Sequence, residues 1–434
     1  MKQHQNLMRD ILDNGTVKGD RTGTGTISKF GGMMKFNIQH GIWPIPTTRE
    51  VNHEQISQEL EWMIKGMISV QWLKDHKNPI WNSWAGDVTG TIGPMYGEQW
   101  RNWNAQCMTK QDWEELKDRL EADSNYDVHD GDSVMNEVKR IISEYSDEKS
   151  KTYEQGNRSG TDQFQYIVNE LKNNPDSRRM CLSVWHASLL PDTSMSPKDN
   201  ADAGRMALAP CHSMWQVDTK ELTDLEILRE IYWKETFSEE DRIKVLDHIQ
   251  NYSQDLFVVV VNAEMLLDRV IAPKKQPHAT PLQAMDSVIN HHTGVIPDEL
   301  ADRHLKLTEK GEQLVKEYRA NKDNPTRKLS LLCFARSQDV PLGTVYNVGE
   351  YSLLAHYLAH ITNMLPWEYT HMMGDHHIYA NQVEKVEEQL KRHPKRPCRI
   401  SMDAMNDIVD QFDHRRIVVD YVSHPKIVFP RAAV

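Results

Sequence analysis

Ala209-Pro210-Cys211-His212-Ser213 leads into Met214-Trp215-Gln216-Val217, so one cysteine stands directly after a proline and ahead of an alternating polar run. Such alternation predicts a strand over Ser213 to Val217 with one buried face. Cys211 at its mouth is the candidate nucleophile. A reactive thiol needs positive charge to hold it as thiolate, an acid/base group and a shaped pocket, so the rest of the chain is read for those three.

Working outward, Leu329 to Phe334 has strand character that would make it a hairpin partner of Ser213 to Val217. The interval from Asp218 to Arg327 is charged and helix-prone, with one β-rich piece at Leu256 to Val261, and is expected to be an inserted subdomain without visible chemistry. Upstream, Leu189 to Met206 reads as a polar loop, Met180 to Trp185 as a short strand, and Phe164 to Leu171 as a helix stopped by Asn173-Asn174-Pro175. Arg178-Arg179 precede that short strand; paired arginines are most often surface charge, but they also make a good fork for phosphate. Cys107 to Gly160 is acidic and Asn/Ser-rich, as a solvent-facing insertion would be.

The chain of 434 residues fits one large domain carrying insertions or two or three smaller ones. With 26% charged and 39% hydrophobic residues and no apolar run near ~20 residues, a membrane span is not expected. The polar amino terminus shows no secretory signal, which predicts a cytosolic protein. A net charge of −12 argues against broad nucleic-acid binding but leaves room for a small anion held by clustered arginines. The five cysteines are scattered and lack a Cys-x-x-Cys pair, which argues against a disulfide framework or a zinc site.

Toward the amino terminus, Asp20-Arg21-Thr22-Gly23-Thr24-Gly25-Thr26 predicts a tight loop between strands, the second running through Ile27 to Phe30 and Met33 to Ile38. Asn52 to Lys65 reads as a helix with Ile56, Leu60, Met63 and Ile64 on one face and Glu59 at its edge; a carboxylate there is usually solvated, but burial would raise its pKa and fit it for proton transfer. Trp81, Trp84, Tyr96, Trp100 and Trp103, threaded with glycines, do not match a helix stripe and suggest a wall for a flat aromatic ligand, with core packing the default for any single one. Downstream, Pro341-Leu342-Gly343 predicts a turn, followed by a helix from Glu350 to Asn363 with Leu353, Leu354, Tyr357, Leu358 and Ile361 on one face. His376-His377 precede an amphipathic helix carrying Val383, Val386 and Leu390; adjacent histidines point apart and lack a spaced third ligand, so no metal is expected.

In this order the sequence resembles the thymidylate synthase family. The resemblance is carried by Asp20 to Thr26, Glu59-Leu60 with Trp62, Trp81 and Trp84, Gly93 to Gly97 through Trp103, Pro175 to Arg179, and Ala207 to His212. It continues through Arg336-Ser337 with Asp339, Leu342-Gly343 with Asn347, Gly374-Asp375 with His377-Ile378-Tyr379, His424 to Ile427 and the terminal Val434. These blocks span the chain.

The resemblance implies an α/β (α+β) fold, a large mixed, twisted sheet with flanking helices, working as a homodimer. It implies dUMP as substrate and 5,10-methylenetetrahydrofolate as co-substrate. Cys211 would add to C6 of the uracil ring, with Arg336 lowering its pKa. Arg21, Arg336 and Ser337 from one subunit and Arg178 and Arg179 from the other would bind phosphate, Asn347 the uracil edge, and His377 and Tyr379 the sugar. Glu59 and Tyr96 would move protons, and Trp81, Trp84, Asp339, Leu342, Gly343, Tyr346 and Val434 would line the folate site.

Two outcomes are compatible with these residues. With water excluded, hydride transfer gives dTMP; with water admitted, the product is 5-hydroxymethyl-dUMP, as in related viral hydroxymethylases of bacteriophage type. Trp81, Leu208 and Val434 favour the dry site. Glu50, Asn52, Val345, Tyr346 and His376 depart from the family pattern, and several of them add polar groups that could hold a water. Cytosine as the base is disfavoured, because dCMP hydroxymethylases carry aspartate where Asn347 stands. A non-catalytic nucleotide- or RNA-binding regulator is disfavoured by the intact Cys211, Glu59 and arginine set.

Overall fold

The computed structural model describes residues 1–19, 23–103, 114, 118, 160–236, 271–273, 305–307, 309–402 and 411–430. Its largest sheet among them has six strands in the order Thr16–Lys18, Thr26–Asn37, Leu365–Tyr379, Arg327–Asp339, His212–Glu221, Cys181–Ser183. Arg327–Asp339 and Leu365–Tyr379 run parallel and the other neighbours antiparallel, which makes the sheet mixed. His212–Glu221 pairs with Arg327–Asp339 as its alternation predicts, and Gly23 and Gly25, both at positive φ, stand in the loop joining the first two strands. The strand predicted over Met180 to Trp185 shortens to Cys181–Ser183.

Parallel neighbours need a crossover, and the helix Gly343–Ile361 supplies it. It is buried on every side apart from its first turns and His360, so it forms the axis of the main core together with Trp62, Trp100 and Trp215. A helix apolar all round reads as a buried one. Two expectations are corrected here: the helix starts seven residues before Glu350, and the face running from Leu353 to Ile361 is not its single packed side. Leu342 at the N-cap offers no capping side chain, so the usual sequence mark of a helix start is missing. Asn347 accordingly sits within the helix instead of in a loop.

The stretch from Leu189 to Met206 is also more ordered than a polar loop. Ser196 caps a short helix, Pro197–Asp202, and two polar side chains of this stretch, Asn200 and Asp202, turn inward. Asn200 bonds Asp192 through both backbone groups, and the Asp202 carboxylate accepts from the backbone of Val88 and Thr89 and from the Thr89 hydroxyl at 2.8 Å. Gly93 has φ +70°, and a Cβ there would lie 1.9 Å from the carbonyl oxygen of Arg205. That close approach, with the amide of Ala207 on the carbonyl of Ile92, brings Tyr96 beside the chain that leads into Cys211.

Past Val217 the first strand continues to Glu221, and its partner begins at Arg327. Between them, helices Asp224–Thr236 and Glu309–Ala320 pack Leu225 and Leu228 against Val315 and Tyr318, and Ile271–Pro273 pairs with Leu305–Leu307. Leu256 to Val261 and nearly all of Cys107 to Gly160 lie outside the described residues. Among the described residues no helix is long and apolar enough to cross a membrane.

His4, His212, His356 and His371 are buried in or near the core, and burial drives their pKa values down: His4 and His356 to about 4, His212 and His371 to about 3. Because the folded values lie below the ordinary 6.5, the unfolded chain binds more protons in acid. Stability from these groups is complete above pH 6.5 and is lost progressively as the pH falls from 6.5 toward 3. Urea-unfolding midpoints across that window check this; a midpoint independent of pH there would contradict it.

Candidate active site

The parallel strands Arg327–Asp339 and Leu365–Tyr379 end on the same side of the sheet, and crevices at the carboxyl ends of such strands are where α/β sheets place ligands. Arg336, Ser337 and Asp339 stand at the carboxyl end of the first strand, side by side with Asp375, His377 and Tyr379 at the carboxyl end of the second. The start of His212–Glu221 delivers Cys211, the first turns of the central helix deliver Asn347 and Glu350, and the helix His53–Ile64 contributes Glu59.

Arg336 fixes the nucleophile segment. Its guanidinium donates to the carbonyls of Ala209 at 2.7 Å and Pro210 at 2.8 Å, while its backbone N–H donates to the carbonyl of Cys211 at 2.8 Å. The guanidinium also lies 5.5 Å over the Trp185 ring. Burial pushes the Cys211 thiol up, the Arg336 charge pulls it back down, and Asp339 adds a smaller upward push. The sequence expectation that Arg336 lowers this pKa is met in direction, but burial outweighs it in the net shift.

On the other side of the thiol, the Tyr96 hydroxyl accepts the Cys211 backbone N–H at 3.2 Å. Tyr96 holds φ +30°, a strained conformation for a bulky residue, and its ring stacks on His212 at 4.0 Å. Burial foremost, with the nearby Cys211, raises the Tyr96 phenol well above its ordinary value, so it stays protonated. His212 bonds the Tyr351 hydroxyl at 2.6 Å through Nδ1 and is neutral.

Glu59 is buried instead of flanking in solvent, and burial raises its pKa. Trp81 donates its indole N–H to Glu59 Oε1 at 2.8 Å. The second carboxyl beside it is Glu350, which sequence reading took only as a helix start. Asn347 donates from Nδ2 to Glu350 Oε2 at 3.3 Å and accepts on Oδ1 from Gln338 Nε2 at 2.9 Å, and Thr344 donates to Gln338 Oε1 at 2.8 Å. Gln338 and Glu350 were missed because period-two and 3.6-period patterns mark apolar faces, and a polar residue on a buried face looks like noise in them.

The expected aromatic wall divides. Trp81 and Trp84 meet edge-to-face at 5.5 Å, and Trp81 lies 5.6 Å from Tyr96. Trp100 stacks on Phe164 and belongs to the core, while Trp103 packs near His186. Trp84 Nε1 is buried without a partner, and the half-buried Asp339 carboxyl, raised chiefly by the loss of solvent around it, accepts from Gln382 at 3.2 Å and from the Leu342 amide. An unused indole donor on Trp84 and a carboxylate acceptor on Asp339 are the kinds of group that a polar, fused-ring ligand such as a pterin would use. Gly343 leaves open space beside Asp339, Leu342 is half-buried, and Tyr346 packs against the main core. Arg49, also missed, is buried near Asp339, donates to the carbonyl of Pro341 at 2.8 Å, and keeps Nε unpartnered.

His377 bonds Asp375 at 2.6 Å and meets Tyr379 edge-on at 5.0 Å, whereas His376, on the opposite face of the strand, bonds the carbonyl of Gly374. Ser337 pairs in register with Asp375. Arg178 and Arg179 are exposed before the edge strand and take no part in the site's hydrogen bonds. Arg21 and Val434 lie outside the described residues. Glu61, Asp413 and His414 bring three potential metal-ligand atoms together elsewhere; Glu61 accepts the His414 amide and imidazole and pairs with Lys65, while Asp413 pairs with Arg415, so the cluster is internally satisfied.

A cysteine clamped beside an arginine, with carboxyl, amide and indole groups near it, is equipped to add a thiolate to a flat, anionic ligand and to move protons out of bulk water. The thymidylate synthase family model matches residues 2–238 and 313–433. A thymidylate synthase from Francisella philomiragia subsp. philomiragia is 26% identical over 394 residues, covering 91% of this chain and 85% of its own length. The chain belongs to the thymidylate synthase family, enzymes that act on dUMP in methyl transfer.

Proposed function

We propose that the protein transfers the one-carbon unit of 5,10-methylenetetrahydrofolate to C5 of dUMP and completes the reaction by reduction, giving dTMP. The observation that carries this reading is the Arg336 clamp on Ala209 and Pro210, which presents the Cys211 thiol next to a fixed positive charge. Cys211 adds to C6 of uracil, and the electron density so released makes C5 nucleophilic. The co-substrate supplies the one-carbon unit and the hydride. Asn347 pairs with the uracil edge, Glu59 relays protons, and Tyr96 serves the proton at C5. His377 and Tyr379 hold the sugar. Arg21, Arg336 and Ser337 take the phosphate, together with Arg178 and Arg179 of a second copy. The exposure of Arg178 and Arg179, and of the cross-strand pair Met33 and Met372 on the sheet, supports a homodimer.

Reduction is favoured over hydroxymethylation by where the departing residues lie. Asn52 is exposed and caps its helix through Gln55, Glu50 is exposed, Val345 is fully buried in the core, and His376 is spent on the Gly374 carbonyl. Glu50 and Asn52 thus face solvent, Val345 carries no polar group, and the fifth departure, Tyr346, is half-buried against the main core near Glu59 and Glu350. Incubation with dUMP and methylenetetrahydrofolate is expected to yield dihydrofolate absorbance and dTMP in equal amounts. No dihydrofolate and a nucleotide one oxygen heavier than dTMP would replace this reading with hydroxymethylation.

The opposed effects on Cys211 set the pH dependence. With the thiol pushed up by burial, kcat/KM rises with pH as thiolate forms, and Arg336 holds that limb lower than burial alone would. Arg336→Gln is expected to move the limb to higher pH and to lower kcat/KM at neutral pH by about 10²-fold or more. A lowered rate with an unmoved limb would assign Arg336 to phosphate binding alone.

A further inference from the structure

Glu59 and Glu350 face each other with almost no solvent contact, at 3% and 1% exposure. Each has one oxygen with a conventional donor: Glu59 Oε1 receives the Trp81 indole, and Glu350 Oε2 receives the Asn347 amide. The remaining oxygens, Glu59 Oε2 and Glu350 Oε1, are buried without a partner, and the two helices pack together where Gly349 meets Ile56, which sets the carboxyls close enough to shift each other's charge state. Two carboxylates cannot hydrogen-bond without a proton between them, and two unscreened negative charges in a dry core would repel.

Atom by atom, Thr344 donates to Gln338, Gln338 to Asn347 and Asn347 to Glu350, while Trp81 donates to Glu59, so donors reach the carboxyl pair from both sides and leave one oxygen of each without one. Indole and amide N–H groups only donate, so each carboxyl accepts at one oxygen and a single proton fits between Glu59 Oε2 and Glu350 Oε1; of the two groups Glu350 is pushed up the further, which seats the proton on it. The titratable groups facing Glu350 are Glu59, Tyr96, Tyr346, Tyr351, Tyr369 and Cys333, and none is a cation that would favour its ionised form. Burial and the Glu59 charge both act to keep it neutral.

We propose that Glu350 is a positioning residue held as a neutral carboxylic acid, sharing one proton with Glu59 and fixing the orientation of the Asn347 amide. It couples the proton-moving carboxylate to the group that reads the base: ionisation of Glu350 would place a second charge beside Glu59 and remove the donor that keeps Glu59 aligned. The proposal rests on the reading of Asn347 and Glu59 given above for its kinetic consequence, but not for the shared proton itself.

The test compares the wild-type chain with Glu350→Gln and Glu350→Leu. In ligand-free wild type at neutral pH, the infrared spectrum is expected to contain a buried carboxylic-acid C=O band that is absent from Glu350→Gln. Glutamine can still donate to Glu59 and accept from Asn347, so Glu350→Gln should keep at least about tenfold more kcat/KM for dUMP than Glu350→Leu. It should also lose the alkaline fall that ionisation of Glu350 produces in the wild type. Absence of the band in the wild type would overturn the shared proton whatever reaction the enzyme performs. Equal losses in both variants with an unchanged pH profile would leave Glu350 a packing residue. If Glu350→Leu fails to give a folded circular-dichroism spectrum, the pH profile of Glu350→Gln against wild type decides alone.

Discussion

The contact on which the site depends is the guanidinium of Arg336 held against the carbonyls of Ala209 and Pro210. One side chain does two jobs there. It fixes the approach of the segment that carries Cys211, and it places an undiluted positive charge where burial alone would keep the thiol protonated. The mixed sheet makes this possible, because antiparallel pairing of His212–Glu221 with Arg327–Asp339 sets His212 opposite Ala335 and so brings Cys211 beside Arg336. Removing either strand's register would separate charge from nucleophile.

Around that contact the protein buries polar side chains that keep to their neutral forms. His212 is neutral, Tyr96 keeps its proton, and the Glu59 and Glu350 carboxyls are both shifted toward their neutral forms. A polar but largely uncharged pocket can align a pyrimidine by hydrogen bonds while leaving local electrostatics to a few fixed groups. The net charge of −12 is irrelevant at this range; what matters is the field of the arginines beside the site.

Local periodicity was sufficient to find most elements. The alternation through Ser213 to Val217, the helix over Asn52 to Lys65 and the turn glycines 23 and 25 all correspond to what the chain forms. It failed where tertiary contacts replace local signals. The helix containing Asn347 begins without a capping side chain, and the stretch around Asn200 folds inward on its own hydrogen bonds, so neither start nor order could be read from pattern. At the site, Cys211, Glu59, Tyr96, Arg336 and Asn347 were recognisable through the family resemblance. Gln338, Glu350 and Arg49 were not, because their importance comes from which buried atoms they meet across the core, and separation along the chain hides that.

The central claim is that Cys211 bonds covalently to the pyrimidine. A nucleotide with fluorine at C5 tests it directly, because fluorine cannot depart as the proton must and the thioether should persist. After incubation of the full chain with 5-fluoro-dUMP and methylenetetrahydrofolate, denaturing mass spectrometry with peptide mapping should find the nucleotide on the Cys211 peptide and nowhere in Cys211→Ser. An unmodified chain, or an adduct that survives Cys211→Ser, would contradict the account.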